Sequence, residues 1–110
     1  MEFNCTISFK TNSSRGGGDG TVLFDDGYFI IYNKGIAARA MFGAIGAALA
    51  KGKEVMRFDV SEIESYRSYR RLFSNYITLT LNDGSTLTFN YPKKVQNELL
   101  PILAVAPQEA

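Results

Sequence analysis

Residues 74–91 read SNYITLTLNDGSTLTFNY, and they fix their own pairing more tightly than any other stretch of the chain. Two runs alternate apolar and polar residues with the period of two that marks half-buried strands. Between them lies Asn82-Asp83-Gly84. A three-residue loop with Gly84 in the left-handed bulge position sets Leu79 against Leu87 and Ile77 against Phe89. Thr78 then meets Thr88 on the other face. A two-residue Asp-Gly loop would oppose Leu79 to Thr88 and mix the faces, so the hydrophobic pattern selects the longer loop.

The same period recurs on the N-terminal side. In residues 2–10, Phe3, Cys5, Ile7 and Phe9 point one way and Glu2, Asn4, Thr6, Ser8 and Lys10 the other, which predicts an antiparallel strand with one buried face. Residues 11–19, TNSSRGGGD, read as a polar connector; three consecutive glycines can also cradle an anion with backbone amides, though no Gly-Lys-Ser/Thr follows. Residues 20–33 predict a second hairpin, GTVLF and YFIIYN, around Asp25-Asp26-Gly27. Read as a three-residue loop, it pairs Phe24 with Tyr28, Leu23 with Phe29 and Val22 with Ile30. Both faces are then apolar, and the second needs cover. Residues 54–60, EVMRFDV, predict a strand with Met56, Phe58 and Val60 inward. Residues 62–70 form a poorer strand anchored by Ile63. After Pro92, which suits a first helical turn, Val95, Leu99, Ile102 and Leu103 follow at helical spacing, and Pro101 is expected to kink or end that helix. Residues 107–110 read as a frayed tail.

Alternation stops in residues 36–53, IAARAMFGAIGAALAKGK, which carry no charge from Ala40 to Ala50. On a helix, Phe42, Ile45 and Leu49 share a face, and Ala40, Gly43, Ala44 and Ala47 leave the face beside it nearly bare. The uncharged run would span roughly 16 Å as a helix against a hydrocarbon core of about 30 Å, so it cannot cross a bilayer.

Composition narrows the classes of function. The chain of 110 residues is 45% apolar and 21% charged, the balance of one globular domain, taken as residues 1–106. A net charge of +1 gives no whole-molecule field toward nucleic acid or lipid. The single Cys5 excludes an intrachain disulfide and fits a reducing compartment. No signal peptide is evident, and the reading is cytoplasmic or membrane-peripheral. The absence of His removes the usual base of a Ser-His pair and the commonest zinc ligand. Asp25 and Asp26 read as turn residues and Cys5 as a small core hydrophobe, so neither an enzymatic activity nor a cofactor or metal is expected. Tyr66, Arg67, Tyr69, Arg70 and Arg71 mix aromatics with cations. They read as a solvated edge whose charges discourage pairing, with single-stranded nucleic acid or an acidic peptide as the alternatives.

Seven strands followed by one amphipathic helix make the order of this chain. On GTVLFDDGYFIIYN, MRFDVSEIESY and YITLTLNDGSTLTFNY leading into the helix, it resembles the pleckstrin-homology-like superfamily, and in particular the bacterial PH and GRAM-like branch. The resemblance implies a seven-stranded antiparallel bent barrel capped by the helix, here with a short Ala/Gly-rich helical insert between strands 3 and 4. It implies binding or assembly rather than catalysis. Phosphoinositide-binding members place a basic residue near the end of strand 1, which Lys10 matches, and further ones on strand 2, where TVLFD has none. Arg15 in the following loop is a partial substitute. Many members also carry a Trp in the last helix, and this chain has no Trp.

The insert is expected to act as a lid on the hairpin, as an oligomer or protein-partner contact through Met41, Phe42, Ile45 and Leu49, or as a membrane contact. In the last case Lys34, Arg39, Lys51 and Lys53 would meet anionic lipid headgroups. If the strands form a meander, the connections after strands 1 and 3 share one rim, and Arg39 joins Lys10 and Arg15 there. The function expected is a non-enzymatic binding or assembly module working through protein–protein or self-association contacts at the insert and rim. The alternative is a peripheral module on anionic lipid.

Overall fold

Phe3, Ile7 and Phe9 are buried along the first strand, β1 (Glu2–Lys10), as its alternation predicts, and Cys5 between them is half-buried. The computed structural model describes residues 1–34 and 52–106. The strands that follow are β2 (Arg15–Asp25), β3 (Tyr28–Asn33), β4 (Lys53–Asp59), β5 (Ile63–Arg71), β6 (Ser74–Leu81) and β7 (Thr86–Tyr91). They form one antiparallel sheet of seven strands in the order β4-β3-β2-β1-β7-β6-β5. The outer strands, β4 and β5, share no ladder, so the expected barrel is an open sheet. Its inner side is nevertheless one core. Phe3, Val22, Phe29, Phe58, Tyr66, Leu79 and Phe89, drawn from all seven strands, belong to a single buried cluster with Leu99 and Leu103. A sheet whose strands all face one cluster must curl around it.

β1 is where the two halves of the sheet join. Residues 2–10 pair with β2 along their whole length, whereas only Ile7–Lys10 also pair with β7. Where that second ladder stops, the Thr6 amide donates to Asn90 Oδ1 at 2.7 Å in place of a backbone carbonyl. Beyond this point Phe3 meets Phe89 with ring centroids 5.9 Å apart.

The β6–β7 hairpin has the predicted register: Ile77 opposes Phe89, Leu79 opposes Leu87, and Gly84 sits at φ +90°. Thr78 and Thr88 share a hydroxyl hydrogen bond of 2.9 Å on the outer face.

The β2–β3 hairpin differs from its expected register by one residue. Asp26 (φ 51°) and Gly27 (φ 82°) make a two-residue turn with both dihedrals positive, the type whose twist suits a hairpin. Phe24 therefore pairs with Phe29 and Val22 with Ile31. This register places Val22, Phe24, Phe29 and Ile31 on the core side together, where the expected one would split them. Leu23, Tyr28, Ile30 and Tyr32 form the outer face.

The start of β2 is a second departure. Gly16, Gly17 and Gly18 lie in the strand opposite Phe9, Ser8 and Ile7, so the connector shrinks to Thr11–Ser14 and the glycines do not form an anion cradle. The long β1 supplies their ladder partners. At Gly20 the backbone needs the missing side chain, since a Cβ would stand 2.5 Å from the Tyr32 carbonyl and 2.9 Å from Ile7 Cδ1.

Between β4 and β5 the chain makes a 3₁₀ turn, Val60–Glu62, so Val60 is not part of the strand. Asp59 Oδ1 accepts from the Ser61 amide at 2.7 Å, and Glu62 Oε2 accepts from the Asp59 amide at 2.8 Å. This reciprocal box satisfies two donors at a helix start. After Pro92 and a second 3₁₀ turn, Lys93–Val95, the helix α1 (Gln96–Leu103) buries Leu99 and Leu103. Pro101 offers no amide to the Asn97 carbonyl, and the helix ends two residues later. The insert, residues 36–53 of the expectation, lies outside the described residues except for Gly52 and Lys53, as does the tail 107–110.

Candidate functional site

Three connections meet at one end of the sheet. Lys10 closes β1 opposite Arg15, which opens β2. Lys10 also opposes Thr86, so the β6–β7 turn lies at the same end. Asn33 closes β3 opposite Lys53, where β4 begins. Sequence reasoning placed the first and third connections together and missed the turn. No local pattern shows that β1 pairs with β7, and that pairing is what brings the turn to the rim.

The β1–β2 connection is tied by its own first residue. The Thr11 amide donates to the Ser14 carbonyl at 2.7 Å, and Thr11 Oγ1 accepts from the Ser14 and Ser13 amides at 3.0 and 3.3 Å. The turn between β6 and β7 is tied likewise, with the Ser85 amide donating to Asp83 Oδ1 at 2.8 Å. That bond holds the Asp83 carboxyl below its usual range. The Asn82 amide donates to the Glu62 carbonyl at 2.9 Å and Asn82 Nδ2 to the Ser61 carbonyl at 3.3 Å. These bonds fasten the turn to the β4–β5 connection.

A groove of about 380 Å³ runs between β4 and this turn, lined by Val55, Arg57 and Phe58 of β4, by Leu81 and Asn82 at the turn, and by Thr11 of the β1–β2 connection. Among the described residues β4 pairs only with β3, and its other edge faces the groove. The ionic groups along the groove are engaged locally. Arg57 donates to both Glu54 oxygens, at 2.9 and 3.4 Å, and holds that carboxyl below its usual range. A shift in the β3–β4 register between Ile31 and Tyr32 accompanies this contact between residues three apart, which a regular strand would send to opposite faces. Glu62 belongs to the reciprocal box and Asp83 to the turn.

Of the predicted cations, Lys10, Arg15 and Lys53 are exposed at the rim and Lys34 is half-buried, its amide donating to the Asp19 carbonyl at 2.9 Å. Lys10 and Arg15 form a directly opposed like-charge pair, an arrangement that costs stability on a sheet. Arg39, Lys51 and the four contact residues Met41, Phe42, Ile45 and Leu49 lie outside the described residues. Within the Tyr66–Arg71 cluster the side chains divide. Tyr66 turns into the core, while Tyr69 stacks on Tyr76 across the ladder and Arg67 lies 5.1 Å from the Tyr69 ring centroid.

A second hollow, of about 630 Å³, lies between Phe24, Ile63 and the end of α1 at Pro101, Ile102 and Val105. Sequence reasoning missed it; the apolar Ile102 and Val105 beside Pro101 were its signal. Among the described residues no three His, Cys, Asp or Glu side chains gather as a metal site would need, and no helix is long and apolar enough to cross a membrane. Burial pushes the Cys5 thiol up to about 12, far from the range of a nucleophilic thiolate.

No protein-family model matches this chain, and no curated protein and no solved structure matches it.

Proposed function

We propose that this chain is a non-enzymatic binding or assembly module of the pleckstrin-homology-like kind, acting through protein–protein or self-association contacts at the rim and the insert that leaves it. The observation that carries the reading is the convergence of three connections on one end, beside a groove bordered by β4, the end strand of the sheet among the described residues. The strand order and the terminal helix support the family reading. Function then rests on loops held by a fixed scaffold. β3 ends at Asn33 and β4 begins at Lys53, both on this rim, so the chain between them departs from the rim and returns to it. The engaged carboxylates, the unreactive thiol and the lack of His favour binding over catalysis.

The test is molar mass in solution by light scattering. The unmodified chain is expected to exceed the mass of a monomer. Leu49→Glu is expected to return it to a monomer with an unchanged far-ultraviolet circular dichroism spectrum. A monomer in both cases would sink self-association through the insert.

A further inference from the structure

The largest exposed apolar side chains of the described residues stand at a place that folding alone does not call for. Leu72 and Phe73 form the whole turn between β5 and β6, and they are 86% and 94% exposed. Leu72 sits at φ 56°, a left-handed conformation ordinarily left to Gly, Asn or Asp. A sequence selected only to close this hairpin would put one of those residues there. Strain of this kind in a bulky residue is retained where it serves a site.

The surroundings define what the tip fits. β5 and β6 continue pairing to Arg71 and Ser74, one pair beyond Asn75 opposite Tyr91, where β7 stops. The tip therefore projects past the end of the sheet. Arg70 and Arg71 lead into it on β5 as exposed neighbours in sequence, so they point to opposite faces of the strand and form a basic collar on that side of the tip. No Asp or Glu occurs between Glu64 and Asp83. The stacked Tyr69–Tyr76 pair lies on the face that Arg67 shares, one step behind the collar. Lys93 and Lys94, exposed just after Tyr91, carry further positive charge at the same end.

We infer that the β5–β6 tip docks this domain onto an anionic phospholipid surface. Leu72 and Phe73 enter the boundary between headgroups and acyl chains, and Arg70 and Arg71 meet the phosphates. A bilayer accepts a convex apolar tip without a preformed pocket, and its negative charge complements the collar. The tyrosines then stand at headgroup depth, where their amphipathic rings are favoured. Edge protection explains the arginines but not two large apolar side chains held in water at a strained turn. This surface lies away from the rim, and the inference stands independently of the rim's proposed role.

The test uses the full chain and vesicles of phosphatidylcholine with or without phosphatidylserine. The chain has no Trp, so Phe73→Trp supplies a single reporter. Its emission is expected to shift to the blue with phosphatidylserine vesicles at low salt, and not with phosphatidylcholine alone. Sedimentation with the anionic vesicles is expected to weaken about tenfold or more in the Arg70→Glu, Arg71→Glu double variant. A comparable loss is expected in Leu72→Asn, with melting temperatures no lower than that of the unmodified chain. Absence of sedimentation at low salt overturns the inference. So does binding that survives both tip variants but is lost in Lys34→Glu, Lys53→Glu, which would move the lipid contact to the rim. A molar mass that falls in Phe73→Ser but not in Leu49→Glu also overturns it, because the tip would then be a contact between copies.

Discussion

Strand β6 ends in two turns of opposite character. Toward β7 it closes through Asn82, Asp83 and Gly84, where the positive φ falls on glycine and the Ser85 amide is held by Asp83. Toward β5 it closes through Leu72 and Phe73, where the positive φ falls on leucine and both side chains stand in water. One strand thus carries a turn that meets every local rule and one that breaks two of them. The first turn is also bonded to Ser61 and Glu62, so it serves the scaffold and the groove at once. Among the described residues the second has no bond beyond its own ladder that would explain its composition. Local rules tend to be broken where something other than folding selects the residue.

The comparison can be broken most severely in the body of the shared strand. Ile77 is fully buried opposite Phe89, so Ile77→Asp is expected to cost about 3–5 kcal/mol in chemical denaturation. Thr78→Asp, on the outer face, is expected to cost far less; equal losses would mean that the two faces are wrongly assigned. Next in size is the ordered turn. Gly84→Val forces a branched side chain to φ +90° and is expected to lower stability by about 1–2 kcal/mol. At the other turn the sign reverses: Leu72→Asn is expected to raise stability by about 0.5–1 kcal/mol, since Asn tolerates the left-handed region. A loss there would show that Leu72 supports the fold. The smallest effect concerns pH. The folded Asp83 carboxyl is depressed, so its contribution is present above the ordinary carboxylate range and is lost as pH falls through the folded value. Asp83→Asn is therefore expected to lower the melting temperature slightly at neutral pH and to flatten the acid limb, the two profiles converging at low pH.

How much of this the sequence shows depends on how unequal the two faces of each segment are. The β6–β7 register is legible because Ile77, Leu79, Leu87 and Phe89 alternate with threonines, and a slip of one residue would bury the polar set. The β2–β3 register is not, because Val22, Leu23, Phe24, Phe29, Ile30 and Ile31 make either face apolar and the turn alone must decide. Gly16–Gly18 read as loop by composition, and only the reach of β1 shows them to be strand. Asp59 and Glu62 stand at the spacing of a capping box, a signal present in the sequence and not read there. Lys10 is legible as the end of an alternating run, whereas Arg15 reads as a loop residue and opens β2 instead, and the β6–β7 turn joins them through a pairing between remote segments. The tip escaped notice for a simpler reason: Leu-Phe has the composition of a strand interior, and turn rules search for Gly, Asn and Asp.

The position of β1 has a consequence for the order of assembly. β2, β3 and β4 on one side, and β5, β6 and β7 on the other, follow one another in both sequence and space, although the insert lengthens the β3–β4 closure. Ile7–Lys10 must then find β7, a search spanning segments such as Thr6 and Asn90, 84 positions apart. Closing so long a loop carries its entropic cost before the contacts that repay it form, which places refolding in the slow range of all-β domains, milliseconds to seconds. Stopped-flow refolding in microseconds would contradict that order. Until the closure is made, the meander ending at β7 presents Leu87 and Phe89 on an unpaired edge. The interval before β1 arrives is therefore when the chain is most exposed to pairing with a neighbour.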